Sequence, residues 1–178
     1  EDLFAACLIS LGRNDEAFEV LTNLIKSHPD FVTSYIHIAG ILENRGDFIQ
    51  AIRYLSDALE NADEPLEVLN EQARLCHEYG MYKQAIENWE KAVEIEPGNE
   101  PARFFRALAL ADSTDYEEAL NELEKLLPIT QDSSKILHAQ ASILERLVYY
   151  GEAHEIIKPL LAQDSVPDGI ANVYARVC

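Results

Sequence analysis

The chain has 178 residues, of which 48% are hydrophobic, and its formal net charge is −18. A hydrophobic share of this size builds a packed core, which excludes wholesale disorder. The negative charge disfavours nucleic acids and anionic membrane surfaces as partners, because both are negatively charged themselves. No apolar run approaches the roughly 18 residues that a membrane span needs, so we expect no membrane insertion.

The three cysteines, Cys7, Cys76 and Cys178, lie far apart in the sequence. They provide neither the even set of a disulfide framework nor the close spacing of a zinc knuckle. We therefore expect no metal, no cofactor and a reducing compartment such as the cytoplasm. The chain begins at Glu1 without an initiator methionine and ends within its repeating pattern, so we expect a fragment of a longer protein.

Alanine recurs at a fixed period along the chain, which predicts a repeated structural unit. Two series of alanines have the same period, which equals the spacing between Ala5 and Ala39. The two series begin at different points of the repeat. The first series is Ala5, Ala39, Ala73, Ala107, Ala141 and Ala175, and the second is Ala17, Ala51, Ala85, Ala119 and Ala153. A small residue at these places lets two antiparallel helices approach closely.

Each unit is predicted to hold two helices, because its apolar residues step by three and four. A left-handed cap should end the first helix of the first three units, at Gly12, Gly46 and Gly80. Capping boxes should open two of the second helices, at Asp47 with Gln50 and at Asp115 with Glu118. Prolines mark the exit to the next unit, at Pro29, Pro65 and Pro97.

The last full unit departs from this pattern in two places. Val148 stands where glycine is expected. Pro159 lies about two turns into the second helix, where it removes one backbone hydrogen bond. We expect a kink or an early break at Pro159, and a changed angle for the helix that starts near Asp168.

The residues around the second alanine series resemble the tetratricopeptide-repeat (TPR) family. Ala85, Trp89 and Pro97 are similar to the second half of the family's signature. Aromatic residues precede the second alanine as they do in the family, at Phe48, Tyr82, Tyr116 and Tyr150. The resemblance covers the whole chain and implies an all-α fold, a right-handed superhelical solenoid of antiparallel helix pairs with about eleven helices.

We expect one array over residues 1–178, composed of a partial unit, four full units and the start of a further helix. The expected bounds are 1–31, 32–65, 66–99, 100–133, 134–167 and 168–178. No catalytic motif accompanies these repeats: His154-Glu155 lacks the second histidine of HExxH, and a glycine-rich phosphate loop is absent. The sequence therefore predicts a protein that is not an enzyme.

In the TPR family the first helix of each unit lines a concave groove that holds a partner segment. The resemblance implies these peptide-binding candidates: Ile36, Asn70, Arg74, His77, Phe104, Leu108 and His138. Two known ligand types are disfavoured. The chaperone-binding clamp needs a lysine followed one turn later by asparagine on the first helices. The glycosyltransferase type needs a ladder of asparagines along the groove. The equivalent positions of this sequence contain neither pattern.

Phe104 and Leu108 are four residues apart, so they should form one apolar step on the groove side of their helix, continued by Ala111. A partner would place a large apolar residue there, with an acceptor near Arg74 and Asn70. The alternative is that Phe104 packs inside its own fold. The predicted first helices are close to neutral, so most of the negative charge falls on second helices and loops.

The leading interpretation is a non-catalytic protein–protein interaction scaffold that holds a partner peptide or helix in its groove. Two alternatives stay open. One is an appendage that recruits the substrate of a larger enzyme, such as a sulfotransferase or glycosyltransferase. The other is a self-assembly module whose array ends stack on one another. The sequence does not name the partner.

Overall fold

A computed structural model describes residues 2–131, 133–161, 173, 175 and 176 of the chain. Its regular structure within them comprises ten helices and no strand, which confirms the all-α prediction. The expected helix from Asp168 falls largely outside the described residues. The chain divides into two compact units, unit 1 over Glu1–Pro97 and unit 2 over Gly98–Cys178. The single array with the bounds given above stays a prediction.

Unit 1 contains three consecutive helix pairs. Its helices are α1 (Asp2–Ser10), α2 (Asn14–Ser27), α3 (Val32–Asn44), α4 (Phe48–Asn61), α5 (Leu66–Glu78) and α6 (Tyr82–Ile95). Each helix packs against the next, and the first helices α1, α3 and α5 also contact one another in sequence. This arrangement places the first helices side by side along one face of the unit.

Unit 2 repeats the arrangement with two helix pairs. Its helices are α7 (Glu100–Asp112), α8 (Tyr116–Leu126), α9 (Ser133–Arg146) and α10 (Tyr150–Leu161). Here too each helix packs against the next, and α7 contacts α9 directly. The side-by-side pair α7 and α9 forms the face on which three of the candidate residues lie.

The alanine lattice lies in the core, as predicted. Ten of its members are at most 1% exposed, from Ala5 to Ala153. The exception is Ala175, which is exposed. Burial of a bare methyl group at every described helix pair confirms that the paired helices cross closely, because a larger side chain would hold them apart.

Five turns that join paired helices share one backbone conformation, at equivalent positions of successive repeats. Gly12, Gly46 and Gly80 have φ of +74°, +78° and +74°, which confirms the predicted glycine caps. Thr114 and Val148 adopt the same left-handed conformation, with φ of +76° and +67°. For β-branched residues this conformation costs roughly 1–2 kcal/mol each.

The hydrogen bonds of these turns explain why the conformation is kept without glycine. In all five, the residue after the left-handed one donates its backbone N–H to the carbonyl five residues earlier, the Schellman pattern. The five bonds are 2.8–2.9 Å long: Arg13 to Leu8, Asp47 to Leu42, Met81 to Cys76, Asp115 to Leu110 and Tyr149 to Leu144. The packing of the two helices therefore imposes the turn on Thr114 and Val148.

One predicted capping box forms only in part and the other is wrong. The Asp47 carboxylate accepts from the backbone N–H of Gln50, as expected. The Gln50 amide donates to the same carboxylate at 2.9 Å, whereas a full box needs this side chain to accept from the Asp47 backbone N–H, which donates instead to the carbonyl of Leu42. Asp115 precedes α8 but caps no N–H with its side chain. It accepts instead from the Ser113 hydroxyl at 2.9 Å, while Glu118 bonds Arg106 across to α7. Competing side-chain partners therefore replaced the second box.

The predicted early break at Pro159 is also wrong, because α10 continues through it to Leu161. Proline leaves the carbonyl of Glu155 without its helical donor. Both residues are exposed, so solvent can replace the missing donor at small cost. A bend at Pro159 stays a prediction, and the expected angle of the next helix concerns residues outside the described part.

Candidate peptide-binding groove

A cavity of about 550 Å³ opens on the α7–α9 face of unit 2. Three of the candidate residues, Phe104, Leu108 and His138, lie in its wall. Ala111, which was expected to continue the apolar step, lies there too. Among the described residues the lining is Phe104, Leu108, Ala111, Asp112, Lys135, His138, Ala139, Ser142, Ile143, Glu145, Arg146 and Arg176. The predicted residues of α7 and α9 thus meet at one concavity.

The apolar part of this cavity consists of a deep floor and an accessible step. Ala111, Ala139 and Ile143 are between 2% and 7% exposed and form the floor. Phe104 and Leu108 are half-buried, so each keeps surface for a ligand. The alternative of a fully packed Phe104 is only partly realised: its ring meets the Phe105 ring edge-on, with the centroids 5.7 Å apart.

Charged side chains surround the apolar step. The Arg146 guanidinium donates to the Asp112 carboxylate at 3.0 Å and to the carbonyl of Ala111 at 3.2 Å. Arg176 donates to Glu145 at 2.9 Å. Lys135 also lines the cavity, from the first turn of α9, and its side chain is exposed. The rim therefore has two internal ion pairs and one further cation.

Arg74 in unit 1 is engaged by three carboxylates of its own unit. Its guanidinium meets Glu71 at 2.6 Å, Glu78 at 2.8 Å and Glu43 at 2.9 Å. The hydrogen bonds that Arg74 donates to Glu71 and Glu43 raise the pKa of Arg74 above its ordinary value. The bond from Arg74 in turn lowers the pKa of Glu43, although burial opposes this. This geometry argues against the predicted pairing of Arg74 with a partner's acidic group, because that group would meet three glutamates.

Two of the other candidates in unit 1, Ile36 and His77, contact residues of their own unit. The His77 ring lies 5.6 Å from the Tyr82 ring and 5.7 Å from the Trp89 ring. Ile36 is half-buried and packs against the hydrophobic core of the unit. Asn70 is half-buried. Their role in ligand binding stays a prediction.

Sequence reasoning missed four residues that line the cavity on α9 and at its end: Lys135, Ala139, Ile143 and Arg146. Their spacing contains the signal that would have found them. They stand three or four residues apart, in the same helical stripe as His138 and Ser142. The sequence prediction took only His138 from α9, whereas a groove between two helices exposes a broader stripe of each.

Unit 1 contains a second, smaller polar cavity of about 190 Å³, lined partly by α4 and α5. Its centre is the buried amide of Gln72, which donates to the Ser56 hydroxyl at 2.7 Å and to the carbonyl of Ile52 at 3.1 Å. The buried Asn88 amide donates to Gln72 at 2.9 Å. These bonds satisfy the buried polar groups and fix the register of three helices, so this network has a structural role.

Neither a metal centre nor a membrane segment stands out in the described part of the chain. Within it, no group of three histidine, cysteine, aspartate or glutamate side chains is placed to hold a metal ion. None of the ten described helices combines the length and the apolar character needed to cross a bilayer.

Stacked pairs of short helices, with first helices side by side, define a helical-repeat protein of the kind that presents a groove to other proteins. Two family models, both described as tetratricopeptide repeat, match residues 3–30 and 77–143. The chain belongs to the tetratricopeptide-repeat family.

Curated proteins named for tetratricopeptide repeats match the chain at low identity. The chain is 22% identical over 190 residues to tetratricopeptide repeat protein 7B of Mus musculus, covering 98% of this chain and 22% of that protein. It is 26% identical over 133 residues to the tetratricopeptide repeat and J domain-containing co-chaperone DNJ1 of Cryptococcus neoformans, covering 68% of this chain and 26% of that one. The chain therefore spans about a quarter or less of the length of these relatives.

Solved structures confirm the fold. A tetratricopeptide repeat protein from Parabacteroides merdae superimposes with a TM-score of 0.82 at 18% identity, over 97% of this chain and 70% of that one. YrrB, described as a TPR protein with an unusual peptide-binding site, superimposes with a TM-score of 0.72 at 16% identity, over 97% of this chain and 84% of that one. At these identities the likeness concerns the fold alone.

Proposed function

We propose that this chain is a non-catalytic protein–protein interaction scaffold and that the α7–α9 cavity holds a large apolar side chain of a partner segment. The observation that carries the proposal is the cavity itself, because it joins a buried apolar floor to the half-exposed Phe104 and Leu108. Apolar pockets with a polar rim are the usual anchor sites of protein interfaces. The description of YrrB, a structural neighbour, also names a peptide-binding site.

The proposed mechanism is preorganisation. The floor residues are fixed by packing, and α7 and α9 are fixed against each other by direct contact. A partner segment therefore bears most of the ordering cost of association, and little is added by the scaffold. Aromatic and aliphatic anchors in such pockets dominate binding energy, while the surrounding contacts chiefly exclude water.

The experiment is a selection of displayed random twelve-residue peptides on the immobilised chain, followed by fluorescence anisotropy on synthetic winners. We expect the winners to share a large apolar residue. Phe104→Ala should weaken their binding by about 2 kcal/mol, or roughly 30-fold. Lys91→Ala is the control, because Lys91 is exposed on α6 in unit 1. Equal affinity of wild type and Phe104→Ala, with both shown folded by circular dichroism, would refute the proposal.

A further inference from the structure

The α7–α9 cavity differs in charge from the rest of the chain. The whole sequence has 14 basic residues against 32 acidic ones. The cavity wall reverses this balance, because it includes the cations Lys135, Arg146 and Arg176 but only the acids Asp112 and Glu145. A concave surface with a net positive charge on so acidic a chain indicates the sign of its ligand.

The ion pairs of the rim identify which cation supplies the surplus charge. Arg146 is bound to Asp112 and Arg176 to Glu145, each by a hydrogen bond of about 3 Å. These four charges cancel in two pairs. Among the described residues Lys135 makes no such pair, and it stands at the N-terminal end of α9, where the helix dipole also favours a negative group.

We propose that the partner segment has an aspartate or glutamate side chain close to its apolar anchor, and that Lys135 receives this carboxylate. The inference rests on the proposed function, since it concerns the same cavity. The lysine lies beside an apolar step, where water is displaced when the anchor binds and the attraction between the two charges grows. The segment has few acids, because each additional one is repelled by the surrounding chain at low salt.

A side-chain carboxylate fits the wall better than a free C-terminus does. Capture of a terminal carboxylate relies on several converging donors, commonly backbone nests or amide side chains. The described lining of this cavity contains no asparagine or glutamine, and both of its arginines already hold an acid. One flexible ammonium group acts instead as a point charge, which suits a single exposed carboxylate.

The test uses the same displayed library, whose peptides are fused at their C-terminus and so present no free terminal carboxylate. We expect the winners to be enriched, relative to the input library, in an acidic residue within one helical turn of the apolar anchor. Lys135→Glu should then weaken the binding of the selected peptide roughly fivefold or more, because it replaces an attraction by a repulsion at an exposed site. Changing the acidic residue of that peptide to lysine should restore binding to Lys135→Glu.

Lys91→Glu is the matched control, since it makes the same change in net charge at an exposed site in unit 1, and it should alter affinity less than twofold. Winners without an acid, combined with equal effects of Lys135→Glu and Lys91→Glu, overturn the inference. If Phe104→Ala still weakens their binding roughly 30-fold, the proposed function survives this failure. If Phe104→Ala has no effect either, both fail. Synthetic winners that lose binding on C-terminal amidation, but not on loss of the acid, point to a terminal carboxylate and also overturn it.

Discussion

Replacement of Val148 by glycine should stabilise this protein. Val148 has a φ of +67° in the turn between α9 and α10, where three other turns of the same period have glycine. Its side chain is 64% exposed, so little apolar burial is lost when it is removed. The substitution therefore isolates the backbone strain from the packing of the site.

The magnitude follows from two opposing terms. A left-handed conformation costs a residue with a Cβ roughly 1–2 kcal/mol. Glycine recovers that energy but has more conformational freedom to lose on folding, which costs about 0.5–1 kcal/mol. The net gain in the free energy of unfolding is therefore about 0–1.5 kcal/mol, with a central value of roughly 0.7 kcal/mol. Gly80→Val is the mirror experiment, because Gly80 has a φ of +74° and no atom within 4 Å of an added Cβ. Gly80→Val should lower the free energy of unfolding by a similar amount.

Equilibrium urea unfolding measures both changes. Far-UV circular dichroism follows the helices of both units, whereas fluorescence of Trp89, the single tryptophan, reports on unit 1. We expect Val148→Gly to raise the midpoint of the dichroism transition without a change in its slope. A neutral or destabilising Val148→Gly together with a harmless Gly80→Val would show that the turn conformation carries no strain, and would refute this reasoning.

Two further predictions concern unit 1. Ala85→Leu should lower the free energy of unfolding by about 1–3 kcal/mol through overpacking, because Ala85 is 0% exposed in the α5–α6 pair. Glu87→Ala, at an exposed site, should lower it by less than about 0.5 kcal/mol. Similar urea midpoints for both variants would contradict the close crossing. Arg74→Met should lower the free energy of unfolding at neutral pH, because it removes the ion pair that lowers the pKa of Glu43. The stability linked to this lowered pKa is present above the ordinary carboxyl pKa and is lost as pH falls below about 4. The difference between wild type and Arg74→Met should therefore shrink in acid, and an unchanged difference at pH 3 would disprove the linkage.

Short-range rules made the repeat architecture predictable from the sequence. The fixed alanine period, apolar steps of three and four, and glycine at the end of the first helices each act within one helix pair. The pair is the folding unit, so these local signals agree with the packing that the structure shows around Ala39 or Ala85. The equivalent places of Phe104 and His138 in successive units followed from the same periodicity, and the resemblance to the family implied that this face is the groove.

Contacts between residues of different helix pairs were not predictable in this way. Glu43 and Arg74 lie in neighbouring pairs, and only the packing of those pairs brings the carboxylate to the guanidinium. The charge of the α7–α9 cavity is likewise decided by the pairing of Arg146 on α9 with Asp112 on α7.

What the sequence determined by itself was therefore the family, the helix pairs and the faces of the helices, because each depends on spacing within a unit. What only the tertiary structure decided was the conformation of Thr114 and Val148 and the cation left over at Lys135. Both depend on forces between elements: closely packed helices impose a left-handed turn whatever residue occupies it, and ion pairs between helices determine which charge remains available.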